Sequence, residues 1–285
     1  MRYCGYDFTP KQVELIRQFI AEEPRKNRAQ LSRLVCHHFD WKKPDGGLKE
    51  MSCRVAMLRM QEDGLITLPP AQNRNGNGRP YTRRTRATDP GLPLALPVDQ
   101  LADLRLQAVT QRRESHLWNE YIQRYHYLGY QPLPGAQMRY FVVSQGQVLA
   151  LLGFGAAAWK VAPRDRLIGW SPEQRQQRLH LLVNNARFLI LPWVVCKNLA
   201  SKSLAMASRR LAEDWHQRYG YRPVLLETFV ETGRFVGTCY RAANWCRVGR
   251  TQGRGKLDSK HEAKIATKDI WLYPLCKNFK DQLCS

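Results

Sequence analysis

Between residues 9 and 63 apolar side chains return at intervals of three and four, the period of a helix with one buried face, in three runs separated by polar breaks. The first run carries Val13, Ile16, Phe19 and Ile20, and Thr9 followed by Pro10 supplies a cap and a favourable first position. The second carries Leu31, Leu34, Val35 and Phe39 behind Asn27 and Gln30, a capping-box pair. After the loop DWKKPDGG a third helix is predicted from about Leu48 to Asp63, with Met51, Val55 and Leu58 inward, Lys49, Arg54 and Arg59 outward, and Gly64 as its stop. The apolar stretch LITLPP then predicts a short strand. Three helices and a strand are the order of a winged helix-turn-helix module whose third helix enters the major groove, and this is the expectation for residues 1–72.

The pattern breaks over residues 73–96, where Gly, Asn, Arg and Pro leave nothing to bury, so a basic linker or an arm that orders on DNA is expected, with Arg74, Arg79, Arg83, Arg84 and Arg86 on phosphates or in a narrow minor groove. Beyond it the periods mix. Residues 99–128 predict helices, and MRYFVVSQGQVLALLGFGAAAWKV predicts a hairpin with Gly146 in its turn. NARFLILPWVV and PVLLETFV predict buried strands, and between them SKSLAMASRRLAEDWHQRYG predicts a helix ending at Gly220 with Leu204, Ala207, Ser208 and Leu211 inward.

A helix, a hairpin, a central strand, a helix, a strand, a short helix with an aromatic and a last strand follow the order of the Gcn5-related N-acetyltransferase (GNAT) fold. The expected fold class is therefore α+β: an N-terminal winged helix-turn-helix, a basic linker, and a GNAT-like mixed α/β domain over residues 97–285. In that pattern Tyr240 falls where such enzymes often place a tyrosine near the leaving group. The glycine loop that would cradle a coenzyme's phosphates is replaced by CKNLASK, where Asn198, Lys202 and the helix-end amides would hold another phosphate, including one in DNA.

Charge narrows the partners. The chain has 285 residues and a net charge of +21, a positive potential that draws a polyanion and releases its counterions. The partners expected are DNA, double- or single-stranded, and further copies of the chain. No apolar run is long enough for a membrane helix and no signal peptide is visible, so no membrane partner and a cytoplasmic location are expected. The eight cysteines include no C-x-x-C pair, which signals neither zinc nor a disulfide framework.

The segments NARFLILPWV, NLAS, RYGYRPVLLETFV, GTCYRAANW and VGRTQGRGK, followed by KDIWLYPL, run through roughly residues 184–275 and together resemble the DruA family of Druantia anti-phage defence systems and their transposon-associated relatives. The resemblance implies a role on invading or mobile DNA beside companion proteins of a defence or transposition system, and it brings no assigned catalytic set.

The residues themselves suggest one. Arg187 and Glu227 are expected on neighbouring strands, with Thr228, Tyr240 and Asn244 arriving from the next turn. A phenol can attack a phosphodiester or protonate a leaving group; a carboxylate can act as base or hold a divalent metal such as Mg; Arg187 and Arg241 would neutralise charge developing on phosphate. Arg250, Arg254 and Lys256 would bring VGRTQGRGK against DNA. A DDE nuclease is disfavoured because Asp165, Asp214, Asp258 and Asp269 fall on predicted loops or helices, and no G-x-S-x-G elbow supports a serine hydrolase. The function expected is DNA processing by nuclease- or transposase-like strand cleavage or transfer. The alternatives are an acyltransferase with a DNA-targeting module and a non-enzymatic DNA sensor or platform. Buried pairing for Glu227 and plain packing for Tyr240 stay open beside catalysis.

Overall fold

Both predicted helix starts form. Thr9 and Gln12 exchange capping bonds at the head of α1 (Pro10–Glu22), and Asn27 and Gln30 do the same for α2 (Arg28–His38). The computed structural model describes residues 1–72, 83–253 and 265–285, and the chain divides into two units, Met1–Pro80 and Tyr81–Ser285. In the first, Val13, Ile16, Leu31 and Val35 meet Phe8 and Trp41 in a core beside the short hairpin β1 (Arg2–Tyr3) and β2 (Tyr6–Asp7).

The third helix, α3 (Glu50–Glu62), turns a different face inward from the one expected. Cys53, Ala56, Met57 and Met60 are buried, whereas Met51 is 59% and Val55 37% exposed. Small and sulfur-bearing side chains bury as readily as branched ones and here set the stripe. The strand expected at LITLPP does not form either. Ile66 and Leu68 are buried, but their segment is held by side chains: Arg17 Nε donates to the Leu65 carbonyl at 2.7 Å, Arg28 Nε to that of Pro69 at 2.7 Å, and the Leu68 amide donates to Gln61 Oε1 at 2.9 Å. Side chains thus do the work a partner strand would do for a wing.

The second unit is a mixed α+β fold around one seven-stranded sheet. Its strands are β3 (Arg105–Ala108), β4 (Met138–Ser144), β5 (Gln147–Ala156), β6 (Leu182–Ile190), β7 (Leu225–Glu231), β8 (Cys246–Arg250) and β9 (Lys268–Pro274), in the order β3-β4-β5-β6-β7-β9-β8. The helices are α4 (Arg112–Tyr125), α5 (Ala162–Ile168), α6 (Pro172–Arg178), α7 (Leu199–Tyr219), α8 (Thr238–Ala242) and α9 (Phe279–Cys284). The predicted succession of hairpin, central strand, helix, strand and short helix is present. Gln145 and Gly146 both have positive φ, 47° and 77°, the turn that matches the twist of a two-residue hairpin. Leu204, Ala207, Ser208 and Leu211 are the buried stripe of α7, which stops at left-handed Gly220.

Three expectations shift. Residues 99–128 are not helical throughout, because Arg105–Ala108 alternate polar and apolar and add to β4 as the edge strand β3. Asp269 lies on β9, not on a loop, and its carboxylate is shared by Arg247 and Arg250 at 2.8 and 3.0 Å. And part of the arm, where Arg83, Arg84 and Arg86 are exposed, is fastened to α4. Buried Glu120 accepts from the Thr85 amide, from the Thr85 hydroxyl at 3.0 Å and from the Thr88 hydroxyl at 2.7 Å, while Arg124 pairs with Asp89 at 2.9 Å.

Successive side chains of a strand point to opposite faces. On β7, Leu226 and Val230 join a core with Trp118, Trp215 and Tyr240; Leu225 joins another with Ile168, Trp170 and Leu283. This alternation decides the site.

Candidate functional site

Every neighbouring pair in the sheet is antiparallel except β6 and β7, which are parallel. Their ladder covers three positions, Leu182 to Asn184 against Leu225 to Glu227, after which the strands pair no further with each other. Where they part, a cavity of about 610 Å³ opens, lined by residues 184–190 of β6, residues 228–231 of β7, the turn 235–240 and the end of α4 with residues 126–128. Clefts beyond the carboxyl ends of parallel strands are where open α/β sheets place ligands.

Tyr240 closes the floor. Gly237, at φ +76°, starts α8 and passes Trp271 so closely that a Cβ there would lie 2.8 Å from the indole; the turn therefore needs glycine. It delivers the Tyr240 ring between Trp245, edge-on at 5.2 Å, and Trp271, stacked at 6.3 Å. The phenol donates to Asn185 Oδ1 at 2.8 Å, and the Thr228 hydroxyl donates to the Asn185 carbonyl at 3.0 Å. Asn185 Nδ2 in turn donates to the carbonyls of Gly153 and Arg187 at 3.3 and 3.2 Å. Burial raises the phenol's pKa well above its ordinary range, so Tyr240 is neutral at neutral pH.

Arg187 lines the same cavity. A side chain at Gly153 would collide with Trp118 at 2.9 Å and press on the Arg187 Cβ at 3.2 Å, so the missing Cβ leaves the arginine its place. Its Nη1 donates to the Ala186 carbonyl at 2.8 Å, and its buried Nε has no hydrogen-bond partner. Among the described residues Arg187 makes no ion pair, and neither does Lys268, also in the wall. Burial, with Arg187 adding to it, lowers the His126 pKa to about 4, so the imidazole is neutral beside the guanidinium. The acidic member of the lining, Glu231, pairs with Arg234 at 3.7 Å.

Glu227 does not join them. One residue before Thr228 on β7, it points to the opposite face, where it is fully buried against Arg164 Nη1 at 2.7 Å and accepts from the Ala158 amide at 2.8 Å. Burial pushes its carboxyl upward and the guanidinium opposes that. The expected convergence of Glu227 with Tyr240 and Arg187 is thus corrected by the strand's two-residue period: Arg164, from α5, is its partner.

The other candidates scatter. Asn244 is exposed with φ +64°, a turn residue closing α8, and Arg241 is exposed on that helix; neither lines the cavity. Asn198, at φ +65°, is the cap residue of α7, and exposed Lys202 is in its first turn. Arg250 is paired with Asp269. Lys49, Arg54 and Arg59 are at the head and along the length of α3. Arg74, Arg79, Arg254 and Lys256 lie outside the described residues. Sequence reasoning missed Asn185, His126, Phe235 and Lys268. A signal existed for Asn185: two asparagines, Asn184 and Asn185, stand with Arg187 in a strand whose other residues are apolar. Among the described residues no three His, Cys, Asp or Glu side chains cluster as a metal site. Nor is any helix there long and apolar enough to cross a membrane.

The family model of Druantia protein DruA matches residues 60–263, and the chain belongs to that family. No curated protein matches it. Solved structures similar to it include a polyamine N-acetyltransferase of Drosophila melanogaster, at 10% identity and TM-score 0.39 over 60% of this chain and 100% of that one. A GNAT-family acetyltransferase of Streptococcus pneumoniae follows at 10% identity and TM-score 0.38, over 60% and 99%. An aminoglycoside acetyltransferase in complex with coenzyme A stands at 12% identity and TM-score 0.38, over 60% and 95%.

Proposed function

We propose that this DruA protein binds DNA and holds a phosphate of the bound strand on Arg187 in the cleft between β6 and β7. One observation carries the reading: a guanidinium with a buried, unpartnered Nε and no carboxylate beside it. Arg187 is half-buried in the cavity wall with no carboxylate within ion-pair distance, so its charge is open to an anion entering the cleft. The net charge of +21 selects a polyanion as that ligand. Tyr240, neutral and buried, would turn its one proton from Asn185 to a phosphate oxygen as donor, not act as a covalent nucleophile, and the strand-cleavage reading keeps it in that role alone. The three-helix unit would add contacts to duplex through α3, with Lys49, Arg54 and Arg59.

The test is fluorescence anisotropy on labelled single- and double-stranded DNA across a salt series. Wild type binds with a steep salt dependence, and Arg187→Gln lowers the slope of log K against log salt by about 0.7 to 0.9, the share of one phosphate contact. Equal slopes overturn the assignment of Arg187, and absence of binding overturns the DNA reading.

A second reading has its own support. Beyond Asn184 the β6 backbone pairs no further with β7, so an extended amide-bearing chain, such as that of an acyl coenzyme A, could lie in the gap with Tyr240 protonating the departing thiolate. Saturable heat on titrating acetyl coenzyme A supports it; no heat removes it.

A further inference from the structure

Resting on the DNA-binding reading, we propose that the cleft takes an unpaired nucleotide: its base lies on Phe235 at the lip and its phosphate reaches Arg187. The mouth is unusual for a basic protein. Phe235 is 47% and Val236 76% exposed, and both line the cavity whose wall holds Arg187 and Lys268. Phe235 is steadied from behind by Tyr127, whose ring centroid lies 5.5 Å away, and Tyr127 is fixed by His126, stacked at 4.8 Å, and by Arg234 over its ring at 4.7 Å. The exposed phenylalanine is therefore a supported platform.

A duplex offers a protein its phosphates and groove edges and hides the faces of its bases, so an apolar lip beside unpaired cations gains nothing from it. A single strand, or a nucleotide turned out of the helix, presents a flat π-face next to its phosphate, and proteins hold such ligands by aromatic stacking with a cationic track. The volume agrees with a ligand of that size. At about 610 Å³ the cleft is in the range of small-molecule pockets and admits one nucleotide, not a helix. Its wall offers two cations, Arg187 and Lys268, that make no ion pair among the described residues.

The experiment uses the full chain with a 20-nucleotide oligothymidylate carrying one internal 2-aminopurine, and a blunt duplex of equal length. For wild type, 2-aminopurine emission falls on binding as the base stacks. Phe235→Ala abolishes that change and weakens single-strand binding about 5- to 150-fold, the range for loss of one stacked base, while duplex affinity moves less than twofold. Phe235→Trp restores both. Because Phe235 is half exposed, its replacement leaves the core intact, which a matched melting curve confirms. If Phe235→Ala weakens both DNAs alike or neither, the unpaired-nucleotide site is overturned and the DNA-binding reading stands. If wild type binds no DNA at all, both fall.

Discussion

Two consecutive residues of β7, Glu227 and Thr228, face opposite sides of one sheet and meet opposite fates. On Glu227's side a carboxylate and a guanidinium are sealed together without exposure, with Asp165 as the guanidinium's second carboxylate. On Thr228's side a guanidinium lines an open cavity with an unpartnered Nε, above a phenol. The lesson concerns charge as evidence. A buried ion completed within the fold holds the fold; one left incomplete beside a cavity points to something that is not part of the chain.

The comparison breaks most easily on its sealed side. Glu227→Ala removes one of the two carboxylates on buried Arg164, leaving Asp165 at 2.7 Å and the Ala158 amide without its acceptor, and is expected to cost about 3 kcal/mol. For a unit of this size that lowers the melting temperature by roughly 6 to 12 °C. A melting curve within 2 °C of wild type would show that the pair is not structural.

On the open side Tyr240→Phe costs less, about 1 to 2 kcal/mol, since one buried bond to Asn185 is lost and its acceptor left unsatisfied. If a nicking or joining activity is found and this variant keeps all of it, Tyr240 has no proton to give. The smallest effect is in pH. His126 titrates near 4 in the folded chain against about 6.5 unfolded, so the unfolded state takes up the proton first and stability falls as pH drops from about 6.5 towards 4. His126→Gln should flatten that part of the wild-type melting temperature profile. Profiles that superimpose would place the imidazole in water.

The helix caps, the hairpin turn, the small inward face of α7 and the family were legible because each depends on local chemistry. The rotated face of α3 was not, since cysteine, alanine and methionine compete with the branched residues for the core and only packing chooses. The edge strand β3 was hidden in four residues of weak alternation. For the site, Tyr240 and Arg187 could be read from their segments, but their company could not. Alternation along β7 put Thr228 rather than Glu227 beside the phenol, and Glu227's partner came from α5, whose sequence gives no hint of the pairing. Phe235 and His126 meet only because a turn and the end of α4 close over one gap.

The grip of Glu120 on Thr85 and Thr88 bears on the thermodynamics of any complex. A basic arm that orders only on its ligand gives up conformational entropy at the moment of capture, about 1 to 2 kcal/mol per residue. Here folding has already ordered the stretch carrying Arg83, Arg84 and Arg86, so Arg84 and Arg86 would meet phosphate without that loss, while Arg83, 3.8 Å from Glu120, would first exchange a partner.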